Sequence, residues 1–577
     1  MKKTKNNQNI INKICKKKKG RALFEGDTSG YPSESEADLA LCQAINSYTG
    51  PDSKRIDQIY RGSKLYREKW DEKHQSDGTT YGQMTIQKAI ESANLPKPKN
   101  ETGHGLDDLL DDVELFHTPN SEPYVTMKID KHKETWPLRS KTFQLALRHA
   151  AYEFDQSPIK GSAMDEILNQ LEPQALFKGE QHRVHIRVAR TNSAIYVDLC
   201  NDSWETVKIT KDGWKIVKKY PVKLIRAPGM APLPYPEKAG NIKAIRKFLN
   251  YTDRSDLILL VAWLVGAFSS GPYPILVLNG PQDSAKTTTA KILKNIVDPS
   301  TVDLVSLPRN ERNLVIAANN SWVLGFDNVS ILGTGIPDAL CRLATGAGFR
   351  TRQLYSNLDE TILYAKRPVI IGGIEVLAHQ HDLVSRSILL TLPPIKSKNR
   401  HDENIFQAKF KGALPSILGG LYDAVSAALR NLPNIKVKRL PRMADFTKWV
   451  CSSEEALPWK EGSFLKHYKT NIKQATDKSL SADVVALAVI ELMKHKRRWH
   501  GTATDLLDTL EAGSDRDKGI VSKNVVRSKA WPKTPHSLSR RLRAVSTNLV
   551  QKRILIDFDP REAKKRGITI KKRPKKR

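Results

Sequence analysis

The stretch LVLNGPQDSAKTTTAKIL, Leu276 to Leu293, decides how this chain is read. An apolar run from Ile275 stops at Asn279-Gly280, and Lys286-Thr287 then opens a segment, TTAKILKNIV, with apolar residues at helical spacing. Strand, small-residue loop and helix, in that order, are what a phosphate-binding loop demands. Gly280 lets the chain leave the strand at a sharp angle. Pro281, Gln282, Asp283, Ser284, Ala285 and Thr288 form the rest of the cradle, with backbone amides from Asp283 to Thr287 facing a β-phosphate. Lys286 neutralises the β- and γ-phosphates, and the Thr287 hydroxyl reaches a metal, so the expected ligands are ATP and Mg²⁺. Ala285 stands where the usual pattern has a second glycine. At a helix N-terminus it is expected to have right-handed helical dihedrals, at which a methyl group costs little. Asp283 is less comfortable, because a carboxylate on the loop rim repels phosphate unless it faces solvent.

A second apolar strand, SWVLGFDNVS, ends in Asp327, placed to complete the Mg²⁺ shell. Asn328 stands where many such enzymes carry glutamate. It can orient a water but cannot take its proton, which leaves Asp327 and Glu375 as candidate bases. RPVIIGGIEVL supplies a further buried strand, Val369 to Ile371, expected beside these two. Behind it, Arg386 in HDLVSRSILLTL is the type of residue that reaches a neighbour's γ-phosphate in ring-shaped ATPases, although such an arginine is more often a salt-bridging one.

The whole chain agrees with a multidomain reading. Its 577 residues exceed what one core can serve, and about three or four domains are expected. Against 62 Asp+Glu stand 94 Lys+Arg, a formal charge of +32. The two tails hold less than half of that surplus, so the folded part is basic too, which fits nucleic acid. Cys15, Cys42, Cys200, Cys341 and Cys451 have no C-x-x-C spacing, against zinc and disulfides. The run LILLVAWLVGAF, Leu257 to Phe268, is short of the ~18 to 20 residues that cross a bilayer, so no membrane partner and a cytoplasmic location are expected.

Six regions follow. Residues 1–32 are a basic, Lys/Asn-rich lead expected to be disordered. Residues 33–95 form a helical domain that Ser33 and Glu36 open with capping-box spacing. Residues 96–120 are an acidic linker. Residues 121–237 are a small α+β domain, with HRVHIRVAR, AIYVDLC, ETVKIT and GWKIV as an antiparallel meander. Residues 238–400 are the ATPase domain, α/β in class. Residues 401–577 are helical and end in a basic helix, TPHSLSRRLRAVSTNLVQKR, followed by a hairpin. That is the order of a winged helix, with Arg540, Arg541 and Arg543 as DNA contacts, although winged helices also serve as protein-docking modules.

GPQDSAKTT, AANNSWVLGFDNVS, DALCRLATGAGFRTRQLY and RPVIIGGIEVLAHQHDLVSRSILLTLPPI, in this order, resemble the superfamily 3-like AAA+ helicase/ATPase modules of phages, plasmids and integrative elements. The N-terminal SEADLALCQAINSYTG resembles the helical block that follows the primase-polymerase domain of longer relatives. The resemblance implies a P-loop AAA+ core in which Lys286 and Thr287 bind ATP-Mg²⁺, Asp327 coordinates the metal and Arg386 acts across a subunit interface. In the relatives, alanine before the motif lysine is common. Glycine is usual where Asp283 stands, which bears on affinity. The sensor strand ends in Asn where this chain has Gly372, which bears on hydrolysis rate. Too little chain precedes the helical block for a catalytic primase, so a separate primase or polymerase is an expected partner. In LATGAGFRTRQLYSN, Arg350 and Arg352 suit either a mobile basic loop facing DNA or a neighbour's nucleotide, or a structural hairpin.

The expectation is therefore a replicative helicase or translocase, a homo-oligomeric and hexameric ring on DNA. The alternative is an ATP- and DNA-binding initiator or switch without unwinding, for which Asn328 and Gly372 leave room.

Overall fold

The computed structural model describes the chain except residues 1, 16–17, 30, 75–77, 95–112, 156–158, 334, 347, 353–359, 364, 374–380, 397–399, 401, 513–518, 560–566 and 574–577. It divides into two compact units, residues 1–111 with 151–157, and residues 112–150 with 158–577.

The first unit is helical: α1 (Lys2–Cys15), α2 (Lys18–Phe24), α3 (Glu34–Thr49), α4 (Ser53–Tyr60) and α5 (Tyr81–Asn94). Ser33 caps α3 by accepting from the Glu36 amide. A buried carboxylate organises the bundle. Asp38, fully buried, accepts from Tyr60 Oη at 2.6 Å, Tyr81 Oη at 3.0 Å and Arg67 Nη2 at 2.7 Å, and the Tyr60 ring stacks on Trp70. The lead is not disordered, as its composition suggests, but helical. Ile10, Ile14 and Leu23 are buried in this core, an apolar stripe that the surrounding lysines mask in any average over the segment.

The second unit begins with β1 (Glu114–His117), β2 (Pro123–Ile129) and β3 (His132–Pro137), then the first part of α6 (Lys141–Asp155), up to residue 150, α7 (Gly161–Phe177) and β4 (Glu180–Gln181), in sheet order β3-β2-β1-β4. The expected linker, 96–120, thus contains a strand, β1, with Phe116 fully buried. Next come β5 (Val184–Ile186), β6 (Val188–Arg190), β7 (Ile195–Asp198), β8 (Thr206–Thr210), β9 (Gly213–Val217) and β10 (Lys223–Ile225). The meander is β6-β7-β8-β9, but HRVHIRVAR is two strands rather than one. Arg187 takes φ 58° between them, and β5 leaves to pair with β10.

The central sheet is all parallel. Helix α8 (Arg254–Gly266) precedes β11 (Ile275–Asn279), α9 (Lys286–Val297), α10 (Glu311–Asn320), β12 (Leu324–Val329) and α11 (Ile336–Thr345). A two-stranded hairpin, β13 (Phe349–Arg352) and β14 (Glu360–Leu363), leads to β15 (Val369–Gly373), α12 (His381–Val384) and β16 (Ser387–Thr391). The order is β12-β15-β11-β16, so Val369–Gly373 lies between the strand of the loop and the strand of Asp327. Buried on both faces, the strands read as near-continuous apolar runs.

Three helices follow: α13 (Glu403–Asn431), α14 (Ala444–Ser453) and α15 (Ser463–Ala482). One core runs from Val197 and Trp214 of the meander through α8 and β11 to Tyr422 of α13 and Tyr468 of α15. Helix α13 is long and apolar enough to cross a membrane, yet 67% of its apolar window is buried inside the protein. The expected boundary near residue 400 therefore moves to about 483. Beyond it, α16 (Val484–His495), β17 (Arg498–Thr502), α17 (Ala503–Glu511), α18 (Lys523–Arg527), α19 (Pro535–Leu549), β18 (Ile554–Phe558) and β19 (Gly567–Lys572) have a core of their own around Trp499, Trp531, Leu538 and Leu542. The three strands form an antiparallel sheet in the order β17-β19-β18, with α19 directly before its last two strands, the element order expected of a winged helix. Its first strand escaped the sequence reading, because RWHGT is polar and short.

The meander and central sheet are tied by buried charge. Arg187, fully buried, donates to Asp298 Oδ1 at 3.0 Å and to the carbonyls of Asp198, Ala231 and Pro299. Asp298 also accepts from the amides of Trp322 at 2.8 Å and Val323 at 3.0 Å, and Lys294 of α9 donates to its carbonyl at 2.7 Å. Burial alone raises the Asp298 pKa, but Lys294, Arg187 and the Val323 amide more than reverse it, so the carboxyl sits below its usual range. Its contribution to stability is therefore full above the unfolded-state pKa of about 4 and is lost as pH falls through the lower folded value. Asp298→Ala leaves Arg187 and Lys294 without their counter-ion and should cost about 3 to 5 kcal/mol in denaturant unfolding at neutral pH.

Candidate functional site

The loop after β11 is held from several sides. Gly280 has φ 154°, and a Cβ there would lie 2.6 Å from Ser284 Oγ and 2.7 Å from the Leu392 carbonyl, so only glycine fits. Asn250 donates to the Ser284 carbonyl at 2.8 Å and to that of Pro393 at 2.7 Å, joining the loop to the chain after β16. The Ile395 amide donates to the Asp283 carbonyl at 2.9 Å. Asn250 carries no local motif, and only the fold brings it to the loop.

Ala285 differs from expectation. It caps α9 in the left-handed region, φ 53° and ψ 35°, and not with helical dihedrals. Here a methyl group is strained by about 1 kcal/mol or more. Asp283 shares this conformation with φ 60°, which an aspartate tolerates better than most residues. Its side chain is largely exposed and paired with Arg400 at 2.9 Å, so its charge is partly neutralised and turned to solvent. Pro281, Gln282 and Asp283 are exposed along the loop rim, with Ser284 buried beneath them.

Lys286 folds back over the loop. Its Nζ donates to the carbonyls of Gly280 at 2.9 Å and Pro281 at 2.7 Å and lies 3.3 Å from Ser284 Oγ. Thr288 follows on α9. Thr287 Oγ1 donates to Asp327 Oδ2 at 2.6 Å, joining the first turn of α9 to the end of β12. The Asn328 amide donates to Asp327 Oδ1 at 2.9 Å, and Asn328 itself has φ 54° and is exposed. Gly372 on β15 lies against this carboxylate, for a Cβ there would come within 2.7 Å of Asp327 Oδ1. Glu375 is outside the described residues.

A hydroxyl and a carboxylate oxygen in contact, next in sequence to the Lys286 ammonium and to a loop that opens on a glycine with no room for a Cβ, fit a magnesium-bound phosphate chain. Lys286 and the loop amides would hold phosphate, and Thr287 and Asp327 the metal.

Arg386 lies elsewhere. The Ile275 amide donates to its carbonyl at 3.0 Å, so it stands at the opening edge of the sheet, about 16 Å of strand from Gly280. Its guanidinium contacts the Asp382 carboxylate, donates to the Asp382 carbonyl at 3.1 Å and is 17% exposed. Arg442, which the sequence reading missed, approaches the other oxygen of Asp382 at 3.0 Å and Ser385 Oγ at 2.6 Å, and is 45% exposed. Nothing near Arg442 in sequence resembles a motif.

Arg350 and Arg352 lie on β13, opposite Ile362 and Glu360, so a hairpin stands where a mobile loop was the other expectation. On α19 the arginines divide. Arg541 pairs with Asp483 at 3.1 Å, Arg543 lies 4.0 Å over the Phe558 ring, and Arg540 is exposed with no described partner. Of the expected DNA contacts on this helix, Arg540 alone is uncommitted among the described residues.

Loop strain gives a direct test. Gly280→Ala should destabilise the chain by about 1 to 3 kcal/mol in denaturant unfolding, because its Cβ meets a backbone carbonyl. Ala285→Gly should change stability by less than about 1 kcal/mol, since relief of the left-handed strain is offset by a freer unfolded chain.

Three family models match separate stretches. Residues 242–477 match the actinomycete integrative conjugative element replication protein, AICE RepA. Residues 485–577 match the AICE RepA C-terminal domain. Residues 34–95 match the NrS-1 polymerase HBD domain. A DNA primase-polymerase of Nitratiruptor phage NrS-1 is 35% identical over 71 residues, 12% of this chain and 10% of that protein. Apo structures of the NrS-1 C-terminal region cover 82% of this chain at 12% and 11% identity, with TM-scores of 0.35 and 0.34. The boundary between the first two matches falls where the core changes, near residue 483. The matched stretches relate this multidomain α/β chain to the replication proteins of mobile genetic elements.

Proposed function

We propose that the chain is an ATP-driven DNA helicase or translocase of a mobile element, working as a ring of copies. The observation that carries this reading is the Thr287–Asp327 contact at 2.6 Å, which joins the first turn of α9, after the loop of β11, to the end of β12 on the other side of β15 and so brings together the two residues that would hold the metal. Bound Mg²⁺ would supply charge neutralisation on the β- and γ-phosphates. The chain's own residues do the rest. Lys286 exchanges its contacts to the Gly280 and Pro281 carbonyls for phosphate oxygens. Asp327, held by the Asn328 amide and Thr287, keeps a fixed orientation.

Arg386 stands at the wrong edge of the sheet to reach the site of its own copy. Its side chain can therefore meet a γ-phosphate only across an interface, after leaving Asp382. A ring provides such an interface, and its hexameric form follows from the resemblance. The winged helix then offers Arg540 to DNA, and the β13–β14 hairpin, which carries Arg350 and Arg352 in sequence, is the second DNA element of this reading.

The second reading is a slow ATP-dependent switch without unwinding. It is favoured by Asn328 and Gly372, two neighbours of Asp327 that bring no carboxylate to take a proton from water.

Purified chain should show Mg²⁺-dependent, DNA-stimulated ATP hydrolysis, and Lys286→Ala should abolish it. Strand displacement on a forked substrate separates a helicase from a switch, and absence of turnover with Mg²⁺ and DNA rejects the helicase. Arg386→Ala should lower turnover more than about tenfold and leave nucleotide binding intact. Mixing it with Lys286→Ala should restore part of the activity, because each variant completes the other's interface. No restoration would refute the action of Arg386 in trans.

A further inference from the structure

We infer that α15 and the loop before α14 form a separate binding surface for the phosphate backbone of nucleic acid, distinct from the winged helix and the hairpin. The inference rests on the DNA-binding reading above. Lys466, Lys469 and Lys473 are exposed on one face of α15, at i, i+3 and i+7, while Phe464, Tyr468, Asn471 and Ala475 face the core. Lys469 Nζ reaches the Lys438 carbonyl at 3.5 Å, which brings the loop NIKVKRLPR, with its exposed Lys436, Lys438 and Arg439, alongside the helix. None of these six cations has an acidic partner among the described residues.

The acidic residues of the region do not compensate. Helix α15 carries one carboxylate, Asp477, and it is engaged by Lys552 at 2.9 Å. The loop carries none. Six like charges brought together by folding repel one another, and a polyanion relieves that cost.

Shape and composition favour phosphate over other polyanions. From Lys466 to Lys473 the helix rises about 10 Å, over which a duplex presents about six phosphates on its two strands. The other exposed residues of this stretch of α15, Thr470 and Gln474, are polar, and Leu440 is the large apolar side chain that the loop exposes, so the surface lacks the aromatic anchors of a protein interface and the continuous apolar face of a membrane-seeking helix. The strip also leads to the winged helix, since α15 touches α16 and α19, and Gln551 donates to Thr476 Oγ1 at 3.1 Å. A strand of nucleic acid leaving the winged helix can thus follow the strip toward the edge where Arg386 and Arg442 stand.

The test compares the full chain with a variant carrying Lys438→Gln, Lys466→Gln, Lys469→Gln and Lys473→Gln, with labelled duplex and labelled single strand as probes over a salt series. The variant should bind at least about tenfold more weakly at moderate salt, and the slope of log affinity against log salt should flatten by about two to three. A control with Lys128→Gln, Lys131→Gln and Lys133→Gln should match the parent. If the strip variant keeps parental affinity and slope while Arg540→Ala weakens binding, the strip is refuted and the DNA reading survives. If the parent binds neither probe, the DNA reading itself fails. If the variant loses binding to polyglutamate but not to DNA, the surface belongs to an acidic protein partner.

Discussion

Asp298 is the constraint on which the second unit depends. Its carboxylate, nine-tenths or more buried, takes Arg187 from the meander and two amides from the start of β12, while its carbonyl takes Lys294 from α9. Ions taken out of water cost several kcal/mol each, so such a cluster persists only when every member is answered. Arg187 answers with four contacts and adopts a left-handed backbone to do so. The result fixes the far end of α9 against the start of β12. The near end of the same helix then delivers Thr287 to the far end of the same strand, where Asp327 waits. The site's geometry is thus set by a rod clamped at both ends, with the buried charges as the remote clamp.

The candidate site shows two kinds of economy in backbone shape. Gly280 and Gly372 keep Cβ atoms out of places where neighbouring atoms stand, one under the loop and one against Asp327. Asp283 and Ala285 do the opposite, accepting left-handed backbone with a side chain present. Local strain of this kind survives only where the surroundings over-determine it, and here the bonds of Asn250, Ile395 and Arg400 do so. Gly372 also sets the character of the site. It brings no side chain of its own to Asp327, whose two oxygens are engaged by the Asn328 amide and the Thr287 hydroxyl.

Much of the site was legible because it is local in sequence. Lys286, Thr287 and the strand before them follow one another within a few residues, and Asp327 ends the next apolar strand as a chemical expectation for a metal site. Asn250, Arg400, Asp382 and Arg442 were not legible. Asn250, Arg400 and Arg442 lie many residues from what they touch, Asp382 is joined to Arg442 only by the fold although Arg386 is four residues from it, and none carries a pattern of its own. The helical lead failed for a different reason: its isoleucines are outnumbered by lysines, and composition averages over exactly the faces that folding separates.

By itself the sequence determined the class of the fold and the order of its parts: apolar runs for strands buried on both faces, helical periods between them, the capping residue Ser33, and a basic C-terminal helix before a hairpin. These are properties of neighbours along the chain, which is all that spacing can record. Tertiary structure alone decided where one core ends and the next begins, that Ala285 is left-handed, that Arg386 stands at the opposite end of the central sheet from the loop, and that the lysines of α15 meet those of the loop before α14. Each of these depends on which distant segments compete for the same space and the same buried charges.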